Sequence, residues 1–213
     1  MGYNHLRYLA LGDSLTVGVG VPLFDPGFVE YYSCLSQETL NTSIPYCKFA
    51  KSGATTGDVL TMISSPPVTE ALKFANIITI TAGGDDLINA AFGFLKNKNE
   101  DTFSQTLEQS RIHYAKILER IHQIDKQDQY IIRIMNLYNP FPEISIAEKG
   151  IEAFNSMISR FGQDKYTEVA DIYSVFKGNE KEFLARGGVH PNNRGYYQMA
   201  LAFHRLGYSP LDR

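Results

Sequence analysis

Four short segments carry side chains that chemistry could use. In Gly12-Asp13-Ser14-Leu15, a strand-like run (Tyr8–Leu11) ends in glycine and Ser14 falls at the mouth of the next helix, where backbone amides favour developing negative charge. In Lys51-Ser52-Gly53-Ala54, the glycine lets the backbone approach a ligand closely, so its N–H could serve as an oxyanion donor. In Gly83-Gly84-Asp85-Asp86, two glycines and two carboxylates make a tight, charged turn directly after the run Ile77–Thr81. In Gly187-Gly188-Val189-His190-Pro191, the proline holds His190 extended and starts a helix, which aims the imidazole off the helix start. Singly, each segment also fits a plain role: an N-cap at Ser14, a strand-to-helix turn at Gly53, a capping Asp after Gly84, a surface-loop histidine at 190. Their order, and their positions after successive strands, make them specific as a set.

The elements that must position these residues read as alternating strands and helices. Continuous apolar runs at Tyr8–Leu11, Ile77–Thr81, Tyr130–Met135 and Val169–Ile172, with a weaker one at Lys48–Ala50, suit strands buried on both faces. Helical periodicity covers Thr102 to Lys126. It also covers a segment with Ile151, Phe154, Met157, Ile158 and Phe161 that Gly162 stops, and a last stretch from Pro191 to Leu206 that Gly207 ends. Strands alternating with helices pair in parallel through right-handed crossovers. The expected fold is therefore α/β, a three-layer α/β/α sandwich around a mostly parallel, flavodoxin-like sheet, formed by residues 1–213 as a single domain. Ligands of such sheets bind beyond the carboxyl ends of the strands, where the four segments fall.

With these blocks in place, the chain resembles the SGNH/GDSL family of lipases and esterases, and in particular small bacilli-type GDSL lipases around Leu137-Tyr138-Asn139-Pro140 and Val189-His190-Pro191. Gly12–Leu15 reads GDSL, Gly53 matches the second block, Gly83–Asp86 stands where the family has GxND, and His190 stands where it has DxxH. The resemblance implies a serine acyl hydrolase that needs no cofactor or metal. Ser14 would attack an ester carbonyl and His190 would act as general base. The N–H groups of Ser14 and Gly53 and the side chain at position 85 would form the oxyanion hole, with Asp13 and Asp86 supporting. The nucleophile elbow G-x-S-x-G is absent, because Thr16 occupies its last position, which disfavours an α/β-hydrolase fold.

Two positions depart from the family pattern. Asp85 replaces an asparagine; an ionised carboxylate only accepts hydrogen bonds and would repel an oxyanion, whereas a protonated one donates. A like charge on Asp86 favours protonation of Asp85 if the two side chains are close. Gly187 replaces the aspartate that would orient the histidine. Three readings stay open: His190 oriented by a carbonyl or water in a Ser–His dyad, a substitute carboxylate (Glu182 or Asp85), or an impaired hydrolase. The substrate is expected to be a small or lipid acyl ester. Carbohydrate deacetylation, lysophospholipid cleavage and ligand binding without hydrolysis are the alternatives on the same scaffold.

Composition narrows the field. A net charge of -3 argues against nucleic acid as a partner. No apolar run is long enough for a membrane span, the start lacks a secretory or myristoylation pattern, and a cytoplasmic protein is expected. Cys34 and Cys47 read as free, partly buried thiols, and His5, His113, His122 and His204 as solvated histidines without zinc-ligand spacing. Gly18 and Gly20 lack the Lys-Ser/Thr of a phosphate loop. Phe24, Phe28, Tyr31 and Tyr32 are expected to pack the first helix into the core, with an acyl pocket as the other use.

Overall fold

The computed structural model describes residues 6–99 and 101–212. Strand β1 (Tyr8–Gly12) leads into the single-turn helix α1 (Ser14–Val17) and then α2 (Phe28–Leu40). Strand β2 (Tyr46–Ala50) leads into α3 (Thr56–Met62) and α4 (Pro66–Phe74), and β3 (Ile77–Thr81) into α5 (Gly84–Asn97) and α6 (Asp101–Gln123). Strand β4 (Ile131–Met135) is followed by α7 (Ser145–Ser159) and a 3-10 turn, Arg160–Gln163. Strand β5 (Thr167–Ala170) is followed by α8 (Ile172–Phe176), α9 (Glu180–Phe183) and α10 (Asn193–His204).

All strand pairs are parallel, in the order β2-β1-β3-β4-β5. This is the flavodoxin-like order, with its switch point at β1 and β3. Side-chain alternation divides the core. Leu9, Leu11, Ile78, Ile80, Ile132 and Ile134 face the layer of α3, α4, α6 and α7. Tyr8, Ala10, Ile77, Ile131 and Met135 face α2, α8 and α10. Both faces are covered, which is why β1, β3 and β4 are apolar throughout rather than alternating.

Register sets the site. Gly12 pairs with Ala50 on one side and Thr81 on the other, so the first three strands end level. The residues just beyond these ends are Asp13-Ser14, Lys51 to Gly53, and Ala82 to Asp85, which gathers three distant segments at one sheet edge.

Four expectations need correction. The last strand sits two residues earlier than Val169–Ile172. The Asn136 side-chain carbonyl accepts the amides of Ile172 and Tyr173, and Asp171 caps α8 through Ser174, so the chain turns after Ala170. Pro191 does not open the final helix: it forms an isolated bridge with Leu184, and Asn192 is the N-cap, accepting from the Gly195 amide at 3.1 Å. His190 therefore leaves no strand; it rides the turn between α9 and α10, where its carbonyl accepts from the Ala185 amide at 2.8 Å. The two cysteines are exposed rather than partly buried, Cys34 on α2 and Cys47 on the edge strand β2.

Candidate active site

Ser14 opens α1 as its first helical residue; the N-cap is Asp13, whose Oδ1 accepts from the Leu15 amide at 3.0 Å. The capping alternative for Ser14 is thereby removed, and its hydroxyl is left for other work. Asp13 also accepts from the Thr81 hydroxyl at 2.8 Å, and Thr16 Oγ1 lies 2.8 Å from the same Thr81 oxygen. These links tie the exit of β1 to the exit of β3. Burial raises the Asp13 carboxyl to about 6, against the pull of its two donors.

His190 Nε2 lies 2.9 Å from Ser14 Oγ, within hydrogen-bond reach of a base from a nucleophile. The two residues are separated by 176 positions in the chain. Three contacts outside the motifs hold the histidine turn. Tyr138, beyond β4, donates its hydroxyl to the Val189 carbonyl at 2.6 Å. Tyr196 on α10 donates to the Val19 carbonyl at 2.6 Å, and Asn193 donates to Asp25 at 3.0 Å, pinning the loop after α1 beside the turn. That loop lies so close that a Cβ on Gly20 would come within 2.9 Å of the His190 Cβ. Burial holds the imidazole below its usual value, against the opposing pull of the Asp85 carboxylate, and so favours the neutral form a base needs.

Gly53 has φ +80, a left-handed conformation that a side chain would strain although a Cβ there meets nothing within 4 Å. Among the described residues no group accepts from its N–H or from that of Ser14. Asp85 is half-buried at the start of α5, and among the described residues its carboxyl has no hydrogen-bond partner. Burial first, then the Asp86 charge, push it above the usual carboxylate range, with His190 pulling the other way and Asp58 adding to the push. The site thus collects a hydroxyl, an imidazole, two free amides and an uncommitted carboxyl at the level ends of β1, β2 and β3.

Asp86 goes elsewhere. It accepts from the Thr56 amide at 2.9 Å and the Thr56 hydroxyl at 2.7 Å, tying α3 to α5. Neither proposed substitute for the missing aspartate bonds to His190: Glu182 pairs with Arg194 at 3.2 Å, and Asp85 acts only through its charge. No described residue accepts from His190 Nδ1. A Cβ on Gly187 would meet nothing within 4 Å.

The solvated reading of the other histidines holds at His122, which is exposed, and fails at His113 and His204, which are half-buried. His113 Nδ1 lies 2.8 Å from Thr56 Oγ1, and His122 contacts Asp164 and Tyr130, both at 2.8 Å. His204 contacts Tyr208 at 2.9 Å, and His5 lies outside the described residues. Phe28 and Tyr32 are core, as expected, and Tyr31 packs edge-on against Tyr197, but Phe24 is 96% exposed. A groove of about 420 Å³ lies off β4 and β5, lined by Asn136, Asn155 and Asp171. It is two strands from β1, and these polar groups are already paired with one another and with the backbone. No group of His, Cys, Asp and Glu among the described residues could hold a metal, and no helix there is long and apolar enough to cross a membrane.

Known proteins resemble this chain over nearly its whole length. The GDSL-like Lipase/Acylhydrolase family model matches residues 10–198. The chain is 42% identical over 209 residues to the spore germination lipase LipC of Bacillus licheniformis, covering 97% of this chain and 99% of that one. Among solved structures it is similar to the lipase Lip_vut3 from a goat rumen metagenome, with 42% identity, a TM-score of 0.92, and coverage of 97% and 99%. A variant of Axe2, an acetyl xylan esterase of Geobacillus stearothermophilus, shares the fold at 20% identity and a TM-score of 0.69, with 95% of each chain covered. On these relationships the chain belongs to the GDSL-like lipase/acylhydrolase family and is a carboxylic ester hydrolase.

Proposed function

We propose that Ser14 is the nucleophile of an acyl-enzyme mechanism and His190 its general base, within one catalytic domain spanning residues 1–213. The observation that carries this reading is the 2.9 Å contact between Ser14 Oγ and His190 Nε2. As Oγ attacks the ester carbonyl, its proton passes to Nε2 and the carbonyl electrons move onto oxygen. The tetrahedral intermediate collapses, the C–O bond to the leaving alkoxide breaks, and His190 returns the proton to that oxygen. Water then attacks the acyl-enzyme with His190 again taking a proton, and the acid leaves as Ser14 is restored.

The oxyanion would be held by the N–H groups of Ser14 and Gly53 and by the carboxyl of Asp85. The third donor works only while Asp85 carries its proton. One lost donor of this kind costs about 100- to 1000-fold in rate, so losing the proton from Asp85 should cost on that order. His190 acts as a dyad with Ser14, its Nδ1 left to solvent. No cofactor or metal is needed for these steps. Asp13 supports Ser14 by capping α1, and Asp86 supports Asp85.

The substrate is a lipid acyl ester in this reading, because the two relatives at 42% identity are both named lipases. The test is a fluorophosphonate label mapped by mass spectrometry, together with hydrolysis of p-nitrophenyl esters by the wild type and Ser14→Ala. Labelling at Ser14, and turnover lost in the variant, support the mechanism. Equal turnover in both proteins, or a label elsewhere, overturns it.

A further inference from the structure

Ten large hydrophobic side chains are exposed among the described residues, and eight of them lie on connections that leave the catalytic ends of the strands. Val17, Leu23 and Phe24 follow β1; Ile88, Phe92 and Leu95 follow β3; Ile144 and Ile146 follow β4. Of the other two, Tyr46 is on the edge strand β2 and Tyr197 packs edge-on against Tyr31. Exposed hydrophobic residues scattered singly are ordinary on a protein surface; their collection around one rim is not.

Two parts of this rim project. Residues Pro22 to Asp25 form a turn closed by the Asp25 amide, which donates to the Pro22 carbonyl at 3.0 Å. Phe24 is the third residue of the turn, with φ +77, a left-handed conformation that glycine adopts freely and a bulky residue only under strain. No packing offsets that strain: Leu23 is 82% exposed and Phe24 96%. Asp25 accepts from Asn193, three residues past His190, so the turn stands beside the Ser14–His190 pair. From Ser14 to Phe24 the chain carries no charged residue.

The other projecting part is α5. Tyr114 on α6 is level with the end of β3, donating its hydroxyl to the Ala82 carbonyl at 3.0 Å. Phe103 lies eleven residues nearer the start of α6, about 16 Å further out at 1.5 Å per residue. Phe94 meets Phe103 with ring centres 6.0 Å apart, so α5 climbs outwards beside α6, beyond the sheet. Ile88, Phe92 and Leu95 recur at helical spacing from Asp85 and form one exposed apolar stripe that starts at the site.

We propose that this rim docks on a lipid surface: the Leu23–Phe24 turn and the Ile88–Phe92–Leu95 face of α5 enter the boundary between headgroups and acyl chains and seat the Ser14–His190 site over an ester held there. The inference rests on the reading of the substrate as a lipid acyl ester given above. A second copy of the chain seated on the same rim would cover the mouth that the ester must reach, whereas a lipid surface brings the ester to it. With no charge from Ser14 to Phe24, entry of that loop depends on the apolar area buried and not on attraction to anionic headgroups.

The test is co-sedimentation with phosphatidylcholine vesicles, in a Ser14→Ala background so that lipid is bound and not consumed, for the parent, Phe24→Gly and Phe92→Ser. Each substitution should weaken partition by at least about 10-fold, as losing a buried phenylalanine does. Phe24→Gly also relieves the left-handed strain, so its urea midpoint should hold or rise, where a residue kept only for the fold would lower it. Partition should survive about 1 M salt, in which charge attraction is screened within about 3 Å. With Ser14 restored, turnover of a long-chain p-nitrophenyl ester carried in vesicles, relative to that of soluble p-nitrophenyl acetate, should fall by about 10-fold in both variants. Parent-like partition in both variants, or partition that vanishes in salt, overturns the inference. If vesicles capture none of the protein and it sediments as a dimer that Phe24→Gly dissociates, the rim is a contact between copies and the inference falls. Hydrolysis of long-chain esters without vesicle binding leaves the lipid-ester reading standing and removes the docking surface. Vesicle binding without long-chain hydrolysis keeps the surface and removes the lipid-ester reading.

Discussion

His190 Nε2 meets Ser14 Oγ at 2.9 Å, and no described residue accepts from the other nitrogen of the ring. Removing either member should therefore leave only what binding and the oxyanion donors supply. Ser14→Ala and His190→Ala are each expected to reduce kcat/KM for p-nitrophenyl esters by at least about 1000-fold, with the double variant little worse than either single one. Additive losses would show that the two groups do not act as a unit.

A carboxylate at position 187 should improve this enzyme. The space beside Gly187 is open, but its φ of +106 strains any side chain, so the gain in turnover should come with a loss of about 1–3 kcal/mol in stability. Gly187→Asp is expected to raise kcat, with the roughly 10,000-fold worth of the aspartate in serine proteases as the ceiling. Turnover and a denaturation midpoint measured on the same preparation check both halves. Unchanged turnover in a folded variant would mean that the imidazole is already oriented by another group.

Activity should be bell-shaped in pH and displaced to the acid side. The base must be neutral, and burial moves His190 below its ordinary value of about 6.5. The third donor must be protonated, and burial and the Asp86 charge move Asp85 above the ordinary value of about 3.9. The two shifts bring these values towards each other; while His190 still titrates above Asp85, neutral His190 with protonated Asp85 is a minor population that is largest between the two values. A kcat/KM profile that rises to a plateau through pH 9 would contradict this.

Asp85→Asn supplies a permanent N–H at the same place. It should match the parent at the acid optimum and exceed it on the alkaline side, by up to about 100-fold where the parent's carboxyl is ionised. A variant less active than the parent at every pH would rule out the protonated-donor role.

Asp13 makes stability itself depend on pH. Its carboxyl is held at about 6 in the folded chain against 3.8 ordinarily, so the folded state keeps a proton that the unfolded state has lost. Stability then falls as pH rises from about 4 to above 6, by about 3 kcal/mol for one such group. Asp13→Asn should flatten that part of the curve whatever its absolute effect. Urea midpoints at pH 4, 5, 6 and 7 for both proteins give the answer, and identical slopes would refute it.

The fold was legible where burial on both faces leaves an unbroken apolar run. The apolar run Ile77–Thr81 matches β3 to the residue, and Tyr8–Leu11 matches β1 to within one. Strand β2 gave a weak signal because it is an edge strand with three exposed residues, Tyr46, Cys47 and Lys48. Strand β5 slipped because the Asn136 side chain, a tertiary contact, ends it. In the site, Ser14, Gly53, Asp85 and His190 could be found because each lies in a short local pattern. Thr81, Tyr138, Thr56 and His113 could not, because their roles depend on partners 30 to 68 residues away. His113 looked like any histidine on the polar flank of an amphipathic helix.

The tethers from Tyr196 and Asn193 to the loop after α1 bear on how the molecule is made. The hydroxyl is translated early, but its imidazole partner is anchored by a helix that comes after all five strands. On the proposed mechanism, a growing polypeptide on the ribosome therefore carries an unarmed serine until α10 has emerged and docked behind all five strands.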